Sequence, residues 1–139
     1  MQTIMKDILS VEDGIICHQV NCMKVMGAGL ALEIKNKWPK VYREYMTKSW
    51  RLGDCQLIEV NSNLFIANLA GQLEVGKGVQ TNYVSLGNAL SKLNNFAMTR
   101  KLQVYIPHGI GCGLAGGDWN VVSKIIKQEV PNAIICKNG

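Results

Sequence analysis

The sequence predicts an α/β fold: a central, mixed and mostly buried six-stranded sheet with helices on both faces. Three observations carry this. Short apolar runs alternate with longer stretches of helical period along the whole chain. Several of the runs, such as Ile15-Ile16-Cys17 and Ala133-Ile134-Ile135-Cys136, are apolar throughout, the pattern of a strand covered on both faces. Twice, a glycine-rich segment joins a strand to a helix.

The strands are expected at residues 3–6, 14–20, 55–60, 64–69, 103–106 and 133–137. The first helix begins near Ala28 and carries Leu30, Ile34 and Trp38 at spacing four. Pro39 interrupts it, and it resumes with Val41, Tyr42, Tyr45 and Met46. A second helix places Tyr83, Leu86, Leu90, Leu93 and Phe96 on one face, with Thr81 or Asn82 as its N-cap. The third follows Gly117, with Asp118 in its first turn and Trp119, Val122, Ile125 and Ile126 along one side. In a sheet covered this way, ligands sit beyond the carboxyl ends of the strands.

Composition narrows the function classes. A length of 139 residues suits one domain. With 47 % hydrophobic and 18 % charged residues the chain is too apolar to be disordered. No apolar run approaches a membrane span, and MQTIMKDILS lacks the basic and apolar blocks of a secretory leader. A cytoplasmic protein is expected. Cys17, Cys22, Cys55, Cys112 and Cys136 are odd in number and lack CxxC or CxxH spacing, so neither a disulfide framework nor a zinc site follows. No metal cluster is apparent and no cofactor is expected. The net charge of +5 is uneven: residues 1–70 carry 8 basic and 7 acidic side chains, residues 71–139 carry 7 and 3. This favours an anionic partner. The lysines are scattered and aromatics make up 6 %, so no nucleic-acid surface is evident; a phosphate-bearing small molecule fits the charge equally well.

Seven of the fourteen glycines fall in two stretches, Asn21-Cys22-Met23-Lys24-Val25-Met26-Gly27-Ala28-Gly29-Leu30 and Pro107-His108-Gly109-Ile110-Gly111-Cys112-Gly113-Leu114-Ala115-Gly116-Gly117-Asp118. Loops of this kind expose main-chain N–H groups at a helix N-terminus, where phosphate binds well; they also serve as tight turns. Neither is a Walker A sequence. Gly111 to Gly116 fits G-x-G-x-x-G spacing but has no βαβ unit of the right length after it.

At these residues the chain resembles the macrodomain family. The likeness is to its small stand-alone branch, which holds terminal ADP-ribose glycohydrolases and ADP-ribose 1″-phosphate phosphatases. It rests on Lys6-Asp7-Ile8, on Ile15 to Cys22 running into Met26-Gly27-Ala28-Gly29-Leu30-Ala31, and on Ile110-Gly111-Cys112-Gly113-Leu114 before Trp119. It spans nearly the whole chain and implies a three-layer α/β/α macrodomain over residues 1–139. By this resemblance Asp7 accepts a hydrogen bond from the adenine amino group and Ile8 contributes main-chain contact; without the family Asp7 reads as a helix N-cap or turn acid after the first strand. Gly27, Ala28, Gly29, Leu30 and Ala31 surround the distal ribose and its phosphate, and Asn21 faces that ribose. His108, Gly109, Ile110, Gly111, Cys112, Gly113 and Leu114 wrap the diphosphate. Gln72, Thr81 and Asn82 lie near the pocket.

The resemblance also supplies catalytic candidates. Ile15, His18, Asn21 and Cys22 match an I-x-x-H-x-x-N-C context in which phosphatase-like members carry a functional histidine. His18 would protonate a leaving ribose oxygen or hold a phosphoryl oxygen; without the family it reads as a core histidine. Asp118 would orient the attacking water, and otherwise reads as a helix-start acid. Two departures are visible. The glycohydrolase branch has an acid where this chain has Ala115, and a lysine after the strand that here ends in Gln72, whereas the next lysine is Lys77. Covalent lysine chemistry is therefore not expected. Three functions stay open: hydrolysis of the phosphate of ADP-ribose 1″-phosphate, non-catalytic binding of ADP-ribose or a related nucleotide, and removal of ADP-ribose from macromolecules.

Overall fold

A computed structural model describes residues 1–138. Six strands form one sheet: β1 (Gln2–Met5), β2 (Gly14–Asn21), β3 (Cys55–Asn61), β4 (Leu64–Gln72), β5 (Val104–Pro107) and β6 (Ile134–Lys137). Their order is β1-β6-β5-β2-β4-β3, parallel throughout except for β3, which runs antiparallel to β4 at one edge. The carboxyl ends of five strands therefore open on the same side. Helices α1 (Gly29–Lys37) and α2 (Pro39–Thr47) precede β3; α3 (Tyr83–Arg100) and α4 (Trp119–Glu129) flank β5.

Alternation along β2 and β4 divides the core in two. Ile15, Cys17, Ala67 and Leu69 pack with Leu86, Leu90, Leu93 and Ile126 of α3 and α4. Ile16 and Ile66 pack with Ile34 of α1 and Val41 of α2. The sheet is thus a middle layer between two helical ones, as the apolar runs predict. Among the described residues no helix is long and apolar enough to cross a membrane.

All six expected strands and the helical stretches are present, and the differences have local causes. β2 and β4 continue together to Asn21 and Gln72, with a register shift between Val20 and Asn21; polar strand ends hide this in the sequence. Pro39 forces Trp38 to φ −130°, ψ 81°, breaking the first helical stretch into α1 and α2 at that one residue. Asp118 is the N-cap of α4 rather than a first-turn residue. Asp7 caps a short 3₁₀ turn, Ile8–Ser10, in keeping with its reading as an N-cap or turn acid.

Candidate functional site

A cavity of about 720 Å³ opens at the carboxyl ends of β2, β4 and β5, a size suited to a nucleotide-like molecule. Its floor comes from His18 to Asn21 of β2. One wall is the 25–31 segment leading into α1, and the other is the 107–115 loop, with Gln72, Val75, Gly76 and Gln80 between them. Among the described residues that line it there is no Asp, Glu, Lys or Arg. An anion here would be met by main-chain dipoles, not by side-chain charge.

The first wall is tied by side chains. Asn21 Oδ1 accepts from the amides of Met23 (3.0 Å) and Val25 (3.2 Å), while its Nδ2 donates to the Val25 carbonyl at 2.7 Å. This wrap places Lys24 at φ +63°, in the left-handed region. Tyr45 of α2 is fully buried, and its hydroxyl reaches the Asn21 carbonyl (2.6 Å) and Oδ1 (2.9 Å). Burial pushes that phenol up to about 12, so it remains a donor. Within this wall Ala28 is the N-cap position of α1, and no side chain caps the helix. Gly29, Leu30 and Ala31 bring the uncapped first turn to the cavity, where the helix dipole favours an anion.

The second wall is shaped by main chain. Gly111 adopts φ +73°, and a Cβ there would lie 2.9 Å from Gln19 Oε1 and 3.1 Å from Thr81 Oγ1; both backbone and space demand glycine. The Gly111 carbonyl accepts from Thr81 Oγ1 at 2.6 Å and from the Gly117 amide at 2.9 Å. The Ala115 carbonyl accepts from the Gln80 amide at 2.7 Å. His108 packs against Trp119 with ring centroids 4.6 Å apart and planes tilted by 46°.

At the floor, His18 is 2 % exposed and its Nε2 lies 2.5 Å from Asn68 Oδ1. Burial drives its pKa down from 6.5 to about 4, against the opposing Asn68 bond, so the ring is neutral at pH 7. On the opposite side of β2, Gln19 Nε2 donates to Gln72 Oε1 (2.9 Å) and Thr81 Oγ1 (3.0 Å). All five thiols are pushed up, by burial first, Cys55 to about 12. None is a thiolate nucleophile near neutral pH. No group of residues among those described could hold a metal ion.

Comparison with known proteins fits this architecture. No family model matches the chain. A 17.5 kDa protein from the tk–vs intergenic region of Enterobacteria phage T4 is 27 % identical over 128 residues, covering 85 % of this chain and 81 % of that one. A Bacteroides thetaiotaomicron protein of unknown function superposes with a TM-score of 0.87 at 29 % identity, over 99 % of this chain and 97 % of that one. A macrodomain protein from Streptomyces coelicolor superposes with a TM-score of 0.81 at 22 % identity, over 99 % and 98 %. The chain has the macrodomain fold. Another similar structure is Thermosipho africanus DarTG in complex with ADP-ribose, with a TM-score of 0.77 at 17 % identity, over 99 % of this chain and 41 % of that one.

Most residues singled out in the sequence stand around the macrodomain cavity. His18, Asn21, Gly27, Ala28, Gly29, Leu30, Ala31, Gln72, His108, Gly109, Ile110, Gly111, Gly113 and Leu114 line it. Four do not. Asp7 is exposed at the end of β1, where Oδ1 accepts from the Leu9 amide at 3.0 Å, and Ile8 is buried in the α1/α2 core. Cys112 is absent from the lining: its main-chain N–H donates to the Gly109 carbonyl at 2.8 Å and its Sγ to the Ile110 carbonyl at 3.3 Å. Asp118 Oδ1 accepts from the Asn120 amide at 2.8 Å in capping α4, so the structure does not bring it to the cavity with His18. Thr81 supports Gly111 from behind, and Asn82 caps α3 through the Ser85 amide. The neutral His18, its Nε2 committed to Asn68, is also unlike the proton donor that the resemblance implied.

Sequence reasoning missed Gln19, Tyr45 and Asn68. Gln19 and Asn68 carried a signal, since each is a polar residue in a strand with a run of apolar residues. Tyr45 carried none beyond its place on the apolar face of a helix.

Proposed function

We propose that the cleft binds ADP-ribose through main-chain groups. The observation that carries this reading is an uncharged cavity of about 720 Å³ at the carboxyl ends of parallel strands, set between the uncapped start of α1 and the glycine loop at Gly109–Gly111. A diphosphate is served by such amides without a lysine or arginine, and the apolar lining suits a base and a sugar face. The similar fold of the DarTG structure solved with ADP-ribose supports the choice of ligand. Calorimetric titration of ADP-ribose tests it. Wild type is expected to bind, and Gly111→Val to bind about a hundredfold more weakly, a loss of about 2.8 kcal/mol. Near-native circular dichroism is required for the comparison to count. No heat of binding in wild type would sink the reading.

A second reading, hydrolysis of the phosphate of ADP-ribose 1″-phosphate, is favoured by one observation, a histidine, His18, among the residues of the cavity floor. Because Asp118 lies outside the wall, activation of water would fall to His18. Phosphate release by wild type and its loss in His18→Gln would support this reading; binding without release leaves the cleft a binding module.

A further inference from the structure

Three polar side chains stand abreast across β2, β4 and β3. His18 is in register with Asn68, and Asn68 with Gln56. They form one chain of hydrogen bonds: His18 Nε2 to Asn68 Oδ1, Asn68 Nδ2 to Gln56 Oε1 (3.0 Å), and Gln56 Nε2 to the Glu44 carbonyl of α2 (3.0 Å). The far end fixes the direction of every bond. A main-chain carbonyl accepts and cannot donate, so Gln56 must present its amide nitrogen to Glu44 and its oxygen to Asn68. Asn68 must then give its nitrogen to Gln56 and its oxygen to His18. An oxygen facing Nε2 requires the hydrogen to be on Nε2. The neutral ring thus has a bare Nδ1, and no protein group donates to that buried atom.

We propose that Asn68 is a positioning residue for His18, passing the polarity of an α2 carbonyl through Gln56 to the imidazole, so that His18 serves a bound molecule as a neutral acceptor and never as a proton donor. The half concerning a bound molecule rests on the ligand reading above; the half concerning the tautomer does not. A buried acceptor without a partner keeps its desolvation penalty, and in a native structure such a group calls for an explanation, a role at a site among them. His18, although 2 % exposed, is among the residues that line the cavity floor.

The chain has two histidines, His18 and His108, so ¹⁵N-histidine labelling gives two ring spin systems, assigned by losing one in His18→Gln. Long-range ¹⁵N–¹H spectra are expected to show His18 with its proton on Nε2 near neutral pH, both free and with saturating ADP-ribose. In Asn68→Asp a carboxylate beside Nε2–H holds the imidazolium, and the His18 titration midpoint is expected to rise by about 1–3 pH units. Gln56→Leu, at the half-buried outer end, frees the Asn68 amide to turn and is expected to admit the Nδ1–H tautomer; it keeps the test alive should Asn68→Asp fail to fold. A proton on Nδ1 in the free wild type, or a His18 spectrum unmoved by either variant, overturns the relay. A proton appearing on Nδ1 when ADP-ribose binds overturns the acceptor role. An absence of ADP-ribose binding overturns the ligand half, while the free spectrum still decides the tautomer.

Discussion

The two sides of the cleft are held by different means. Around β2 and the turn into α1, polar side chains do the holding: Asn21 wraps its own turn, Tyr45 clamps Asn21, and Asn68 orients His18. Around the 107–117 loop, carbonyls and amides do it, at glycines whose missing Cβ leaves room for Gln19 and Thr81. A side built from buried polar groups is sensitive to protonation and to the loss of single atoms, because each orphaned partner keeps its desolvation penalty. A side built from main chain is sensitive to added atoms and to φ, and indifferent to pH.

Acidification is the strongest way to expose this difference. The folded pKa of His18, about 4, lies below its ordinary 6.5, so between these values the unfolded chain binds a proton that the folded one refuses. Stability contributed by the neutral ring is complete above about pH 6.5 and declines as pH falls towards 4, where the folded ring protonates. The full difference corresponds to about 3 kcal/mol. Urea unfolding at a series of pH values is expected to show that loss in wild type beyond what remains in His18→Gln, which lacks the titrating group. Equal pH dependence in the two proteins would remove His18 as the source.

The same division explains what was legible in the sequence. Strand–loop–helix order, apolar runs and clustered glycines are local signals, and they located the sheet, the helices and both walls. Gly111 was legible because a glycine's freedom is a property of the residue itself. Partnerships were not. That Asn21 is spent on its own turn follows from the path of residues 22–25, which includes Lys24 at positive φ. The two caps are the exception: read from the residues alone, Asp7 is a helix N-cap or turn acid and Asp118 a helix-start acid, and each caps through Oδ1, whereas the ligand roles came from the resemblance. The Gln56–Asn68–His18 row exists only through register between three strands distant in sequence.

A single oxygen atom tests the side-chain half next. Tyr45→Phe removes the hydroxyl that meets the Asn21 carbonyl and Oδ1 while keeping the ring, which packs at a tilt against Trp50 with centroids 5.2 Å apart. The expected cost is about 1–2 kcal/mol, that of a buried acceptor losing its donor. Hydrogen exchange sharpens the contrast: the amides of Met23 and Val25, bound to Asn21, are expected to exchange faster, while those of Gly116 and Gly117 in the opposite loop are unchanged. Loosening of both loops together would mean that they are one unit and that the division is false.

The smallest effect is expected at the edge of the main-chain side, and it separates a cap from a catalyst. Asp118 Oδ1 satisfies the Asn120 amide at the start of α4, while its own amide donates to the Tyr83 hydroxyl at 3.0 Å. Replacing an N-cap aspartate by alanine costs about 1 kcal/mol, and asparagine caps nearly as well. Asp118→Ala is therefore expected to lower stability by about that amount, Asp118→Asn to restore most of it, and neither to change ADP-ribose affinity. A residue that orients water behaves oppositely: asparagine cannot replace its charge, and turnover falls in both variants whatever the stability. The asparagine variant thus decides the matter, since it preserves the cap while abolishing any base.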